Sequence, residues 1–185
     1  MTLSFPIHRA GRILRSGGVV AYPTEGVFGL GCIPDYAEAV IRILSIKKRD
    51  PALGLVLIAS EIEQLEDWAD LPGTTTLKSS PERPVTWIVP AWRNVPYWIT
   101  GEHRGLAVLI TTHRVAAALC EAADSALVST SANIAGSPPA RTAYVLRRRF
   151  GSLVDCIVPG HCGPAAGTSE IRDLISGKIL RAGKT

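Results

Sequence analysis

Apolar positions in this chain fall into helical stripes and short strand-length runs that alternate from the N-terminal region onward. Between His8 and Ser16, Ala10, Ile13 and Leu14 recur at helical spacing, and Gly17-Gly18 suits a helix end that feeds directly into a β-rich run, Val19 to Tyr22. Pro23, which has no N–H for a ladder, stops that run, and Thr24 and Glu25 precede three glycines at Gly26, Gly29 and Gly31. Asp35 with Glu38 three residues on predicts a capped second helix whose stripe is Val40, Ile43, Leu44 and Lys47. Leu55 to Ala59 is apolar throughout, the pattern of a strand covered on both faces. Ser60 with Glu63 predicts a third helix bearing Ile62, Leu65 and Trp68.

Beyond that point Pro72-Gly73, Pro81 and Pro84 break residues 71–84 into an irregular connection or a short helix with loops on both sides. Val85 to Val89 and Leu106 to Ile110 read as strands of an antiparallel insertion, with an excursion from Trp92 to Gly105 between them. Val115, Ala118, Leu119 and Ala122 mark a fourth helix, Ala126 to Val128 a buried strand, and Ala143, Leu146 and Phe150 a short basic helix. Cys156–Val158, Ile171–Leu174 and Ile179–Arg181 complete the strands. The alternation predicts an α/β fold, a mixed sheet with flanking helices in a single domain spanning residues 1–185.

Composition narrows the class. With 46% apolar and 19% charged residues the chain buries a core, and no apolar run approaches the roughly 20 residues that cross a bilayer. Met1 to Arg9 lacks a basic start followed by an apolar stretch, so a cytoplasmic protein with no membrane partner is expected. Cys32, Cys120, Cys156 and Cys162 show no Cys-x-x-Cys spacing; reduced thiols are expected, and no metal site is assigned to Cys156, His161 and Cys162. Lys and Arg exceed Asp and Glu by four, and the excess is dense at Lys47-Lys48-Arg49 and Arg147-Arg148-Arg149. Anionic partners are favoured.

The candidate chemistry lies at strand ends. Thr24 follows the first strand; Ser129, Thr130, Ser131 and Asn133 follow the strand at Ala126; Gly167-Thr168-Ser169 precedes another, and Arg181 ends the last. Hydroxyls and an amide offer donors and acceptors without a strong base, no histidine forms a triad with a serine or cysteine, and no Gly-x-x-x-x-Gly-Lys loop occurs. Cations at Lys47, Arg49 and Arg181 beside Thr24, Ser129, Ser131, Asn133 and Ser169 suit a polyphosphate held with a small polar co-substrate.

The ordered series Ala-Tyr-Pro-Thr-Glu-x-Val-Phe-Gly-Leu-Gly from Ala21, Lys-x-Arg at Lys47 and Arg49, Ser-Thr-Ser-Ala-Asn from Ser129, Ser-Glu-Ile-Arg-Asp from Ser169 and Leu-Arg-x-Gly from Leu180 resembles the YrdC/TsaC family over nearly the whole chain. The resemblance implies a twisted, YrdC-like mixed sheet with a basic concave face. It also implies an enzyme, a nucleotidyltransferase, that joins L-threonine, bicarbonate or carbon dioxide, and ATP with its Mg2+ into threonylcarbamoyl-adenylate, releasing pyrophosphate. Downstream proteins then transfer the threonylcarbamoyl group to the adenosine beside the anticodon of certain tRNAs. Carried over by motif, Lys47, Arg49, Ser131 and Asn133 are the catalytic group, Thr24 and Ser169 lie on threonine, Ser129 joins the substrate-binding set, and Arg181 reaches the nucleotide.

Two departures stand out: Leu53 and Leu109 replace residues that are commonly lysine and arginine in the family, with Arg104 and Arg114 as sequence neighbours able to compensate. Ser80 to Pro84 also replaces the family's Trp-Pro-Gly-Pro. Three readings follow: a working synthase; a non-enzymatic relative that binds tRNA or other RNA directly through its basic face and Arg147–Arg149; and an adenylate-forming or carbamoyl-transferring enzyme acting on another amino acid.

Overall fold

The computed structural model describes residues 4–72 and 74–183. Met1 to Leu3 and Gly73, used in the sequence reading, lie outside the described residues. Among the described residues five α-helices flank one nine-stranded sheet: α1 Ser4–Arg15, α2 Ala37–Lys47, α3 Tyr97–Thr100, α4 Arg114–Ala123 and α5 Ala143–Phe150. The strands are β1 Val20–Pro23, β2 Phe28–Cys32, β3 Val56–Ala59, β4 Val85–Pro90, β5 Gly105–Ile110, β6 Leu127–Ser131, β7 Cys156–Ile157, β8 Glu170–Asp173 and β9 Ile179–Arg181. Their order across the sheet is β7-β1-β2-β6-β3-β5-β4-β8-β9. The sheet is mixed, with β1/β7, β3/β5 and β4/β8 parallel and the other neighbours antiparallel.

Strand alternation splits the buried side chains into two cores. Val19, Ala21, Leu57, Val108 and Val128 face one way, packing with Val40 and Ile43 of α2 and Leu146 and Phe150 of α5. Val20, Tyr22, Ile58, Leu109 and Leu127 face the other, packing with Leu14 of α1 and Leu119 of α4. Along β6 this second face begins as core at Leu127 and continues through Ser129 and Ser131, which are only half-buried. There the apolar cover ends and a cavity opens.

Several local expectations are corrected. The glycines from Gly29 to Gly31 belong to strand β2, hydrogen-bonded to β1 on one side and β6 on the other, and Ser129 to Ser131 are strand rather than turn. Pro23 is the last residue of β1; the β1–β7 ladder ends at Ala21, so its missing N–H interrupts no pairing there. The second helix starts at Ala37 with Tyr36 before it and no side-chain cap, leaving Asp35 and Glu38 without the reciprocal bonds of a capping box. Ser60 and Glu63 start only a 3-10 turn, Ile62–Leu65, because the Ser60 N–H and hydroxyl meet Gln64 Oε1 at 2.9 and 3.1 Å. Residues 71, 72 and 74–84 are irregular, without the alternative short helix, and β4 and β5 pair antiparallel around an excursion that contains α3.

Candidate functional site

A cavity of about 540 Å³ lies on the α1/α4 side of the sheet, within the range of small-molecule sites. Adjacent strands supply its floor. Gly29 pairs with Ser131, Gly31 with Ser129, Ser129 with Val56, and Ile58 with Leu109. The Trp87–Val108 pair brings Thr86, the next residue on β4, beside Leu109. The middle of the floor is therefore apolar, from Val56, Ile58 and Leu109, and its two ends are polar.

At one end Thr24 sits in the turn between β1 and β2, its hydroxyl donating to Val27 O at 2.7 Å. Gly29 leaves room there, since a Cβ would stand 3.2 Å from Thr24 Cγ2 and 3.4 Å from Ser129 Oγ. Ser131 Oγ donates to Asn133 Oδ1 at 2.7 Å, and Asn133 Nδ2 donates to Ser137 O at 2.9 Å, so the chain after β6 is pinned beside the cavity. Arg49 follows α2 and reaches in, its guanidinium donating to Gly54 O at 2.9 and 3.3 Å. Burial holds its pKa below the usual arginine value.

At the other end are Thr86, Ser169 and Arg181. The parallel β4/β8 ladder, with Val85 opposite Glu170, sets Ser169 against β4, and Arg181 Nη2 donates to Ser169 O at 3.0 Å. A strap from Gly160 to Ser169 closes the remaining side: Gly163 N donates to Thr24 O and Ala165 N to Glu25 O, both at 2.9 Å, and Arg141 Nη2 donates to Ala166 O. The Glu25 side chain leaves the turn for the end of β5, where Oε1 accepts from Thr111 Oγ1 at 2.7 Å and Thr112 N at 2.9 Å.

Thr24, Arg49, Ser129, Ser131, Asn133, Ser169 and Arg181 thus line one cavity. Lys47 does not line it. Only 4% exposed, it stands behind the wall, its Nζ donating to Ser131 O, to Asn133 O at 3.0 Å and to Asn133 Oδ1 at 2.9 Å. All three ammonium protons are spent on holding the Ser131–Asn133 turn.

The departures also take their places. Leu53 is 56% exposed and outside the cavity, whereas Leu109, 7% exposed, is part of its floor. Neither Arg104 nor Arg114 lines the cavity; Arg114 starts α4 beside the α1 groove, and the additional cation is Arg141. Sequence patterns did not single out Arg141, Thr86, Val56 or Ile58 as site residues: the last three become so only through pairing of distant strands, and Arg141 through the strap that it meets at Ala166 O. Arg49, Arg141 and Arg181 have no carboxylate within ion-pair distance among the described residues, which leaves three guanidinium charges at the cavity for an anionic ligand.

A family model described as telomere recombination, Sua5/YciO/YrdC, matches residues 12–183. Threonylcarbamoyl-AMP synthase of Nitrosococcus oceani is 50% identical over 179 residues, covering 95% of this chain and 96% of that protein. The synthase of the same name from Xanthomonas euvesicatoria pv. vesicatoria is 45% identical over 186 residues, 98% of this chain and all of its own length. Among solved structures, P. abyssi Sua5 complexed with L-threonine superposes with a TM-score of 0.85 at 31% identity, covering 96% of this chain. This chain spans about half of that Sua5, 54% of its length. E. coli YciO shares the fold, with a TM-score of 0.79 at 24% identity over 96% of this chain and 88% of its own.

Proposed function

The chain belongs to the Sua5/YciO/YrdC family, and from that premise we propose that it is an enzyme that makes threonylcarbamoyl-AMP from L-threonine, bicarbonate or carbon dioxide, and ATP. The observation that carries this reading is the convergence on one cavity of three arginines that have no carboxylate partner among the described residues with Thr24, Ser129, Ser131, Asn133 and Ser169. Threonine's amine adds to carbon dioxide to give a carbamate. A carbamate oxygen then attacks the α-phosphorus of ATP, the bond from that phosphorus to the bridging oxygen breaks, and pyrophosphate leaves with the electron pair. No side-chain nucleophile is needed. The work of the site is to align two anions and to neutralise charge that moves onto pyrophosphate, which suits fixed guanidinium groups and hydroxyl donors.

Arg49, beside Ser131 and Asn133, takes phosphate oxygens; Thr24 and Ser169 take the amino acid; Arg181 reaches toward the nucleotide. Lys47 acts from behind, by fixing Ser131 and Asn133. The cavity presents hydroxyls, an amide and guanidinium groups, and no three His, Cys, Asp or Glu side chains among the described residues converge on a metal position. That donor set does not fit a resident metal, so Mg2+ belongs to the reading as the counter-ion of ATP, part of the substrate. The reaction class is nucleotidyl transfer in the cytoplasm. Among the described residues, no helix is long and apolar enough to cross a membrane. Hand-over to proteins that modify tRNA completes the reading, and any direct RNA contact falls to Arg147, Arg148 and Arg149, exposed on α5.

Pyrophosphate release from ATP, measured with bicarbonate and magnesium and with L-threonine present or absent, tests this reading, with serine as control. Threonine-dependent release is expected, and Arg49→Ala should lower it roughly ten- to hundredfold, the scale of a lost charge-assisted hydrogen bond. Folded protein that releases nothing above background would overturn the assignment.

A further inference from the structure

Thr86 is a polar side chain on the apolar strand Val85-Thr86-Trp87-Ile88-Val89, and it is 1% exposed. Its hydroxyl lies 2.7 Å from Ser169 Oγ. Among the described residues this is the one hydrogen bond its side chain makes. A hydroxyl so fully buried must place its proton on an acceptor, because an orphaned donor away from water is costly. Ser169 Oγ is that acceptor.

The direction of the bond has a consequence for the cavity. With one lone pair of Ser169 Oγ occupied by the Thr86 proton, the proton of Ser169 is left to point into the cavity, and Ser169 meets a ligand as a donor. Arg181, bonded to Ser169 O, adds positive charge at the same end. Donor and cation together select an oxygen with lone pairs and negative charge. We propose that Thr86 is a positioning residue that fixes Ser169 as a hydrogen-bond donor to the carboxylate of the amino-acid substrate. The inference rests on the reading of the cavity as an amino-acid and ATP site, and it adds which atom of the amino acid faces this end. Thr86 acts through Ser169.

Replacing Thr86 by valine keeps the shape and removes the proton donor, leaving the Ser169 hydroxyl free to rotate. Thr86→Ser restores the hydroxyl. For Thr86→Val the Kd of L-threonine by calorimetry, and KM for threonine in pyrophosphate release, should rise about tenfold, the scale of one misdirected hydrogen bond. KM for ATP should stay within about twofold, and Thr86→Ser should return threonine affinity to near the starting value, since the pairing of the two hydroxyls is regained. Equal rises in both KM values, or failure of serine to rescue, would mark Thr86 as merely structural and overturn the proposal. So would unchanged threonine affinity in a folded Thr86→Val protein. If the unmodified protein binds threonine but releases no pyrophosphate, the synthase reading falls while the Kd comparison still decides the role of Thr86. If it binds no threonine, the proposed carboxylate contact falls as well.

Discussion

Burial, and then the charge of Arg49, push the pKa of Lys47 down to about 8. The folded protein therefore releases this proton earlier than the unfolded chain does, and between about pH 8 and the ordinary lysine value near 10.5 the unfolded state binds more protons. Stability contributed by this site rises with pH through that window. Activity should move the other way. A neutral amine has two protons for three acceptors, so the Ser131–Asn133 turn loses a bond as pH passes 8. A pH profile of threonine-dependent pyrophosphate release should fall with an apparent midpoint near 8, while thermal unfolding over the same range shows no parallel loss of stability from this site. Lys47→Met should remove that midpoint and lower activity at every pH. The Lys-x-Arg spacing placed both cations at the end of a helix, yet nothing in it separates Arg49, which reaches the cavity, from Lys47, which turns to backbone carbonyls. That distinction arises only when the Ser131–Asn133 turn packs on α2.

The β1–β2 hairpin supports two contrasting substitutions at glycines of one strand. At Gly31 a Cβ would lie 2.6 Å from Val128 O and 2.7 Å from the Tyr22 hydroxyl, with backbone on one side that cannot yield. Gly31→Val should destabilise the protein by about 1–3 kcal/mol through overpacking, lowering Tm by roughly 2–4 °C for each of those kcal/mol. At Gly29 the nearest atoms are side chains facing the cavity, so Gly29→Ala should change thermal unfolding little and reduce pyrophosphate release by crowding Thr24 and Ser129. Equal effects of the two on Tm would refute the assignment of Gly29 to the cavity floor. The same strand shows why part of the fold was hidden. Phe28-Gly-Leu-Gly-Cys has weak β propensity, and its strand character comes from partners on both sides, not from its own residues. The runs at Leu55, Val85 and Leu106 were legible because their side chains carry the signal themselves. Ser60 and Glu63 misled because Gln64 competes for the Ser60 backbone and hydroxyl. For the cavity, hydroxyls and cations were readable as motifs at strand ends; Thr86, Val56 and Ile58 depend on strand pairings that no local pattern encodes, and Arg141 on a contact with the distant strap at Ala166 O.

At the scale of the molecule, positive charge is divided between the cavity and the outside of α5. Arg49, Arg141 and Arg181 face the cavity, whereas Arg147 and Arg148 are exposed in the last turn of a helix whose dipole favours cations there. If α5 touches RNA, the Arg147→Ala/Arg148→Ala double variant should weaken tRNA binding and flatten its salt dependence by about two units of slope, while threonine-dependent pyrophosphate release is unchanged. Unaltered binding would leave the α5 arginines as a solvated surface. Strand order also governs how this protein comes into being. Gly29 pairs with Ser131, about a hundred positions further along, and β6 is the strand that joins the β1–β2 hairpin to β3 and β5. A nascent chain that ends before residue 127 therefore carries two sheet fragments with open edges and only part of the cavity floor, the Val56, Ile58 and Leu109 side. Such long-range pairing slows folding and leaves unpaired strands available to other chains. Refolding from denaturant should accordingly lose yield as protein concentration rises, because one strand, emerging late, has to find its place between partners that cannot reach each other without it.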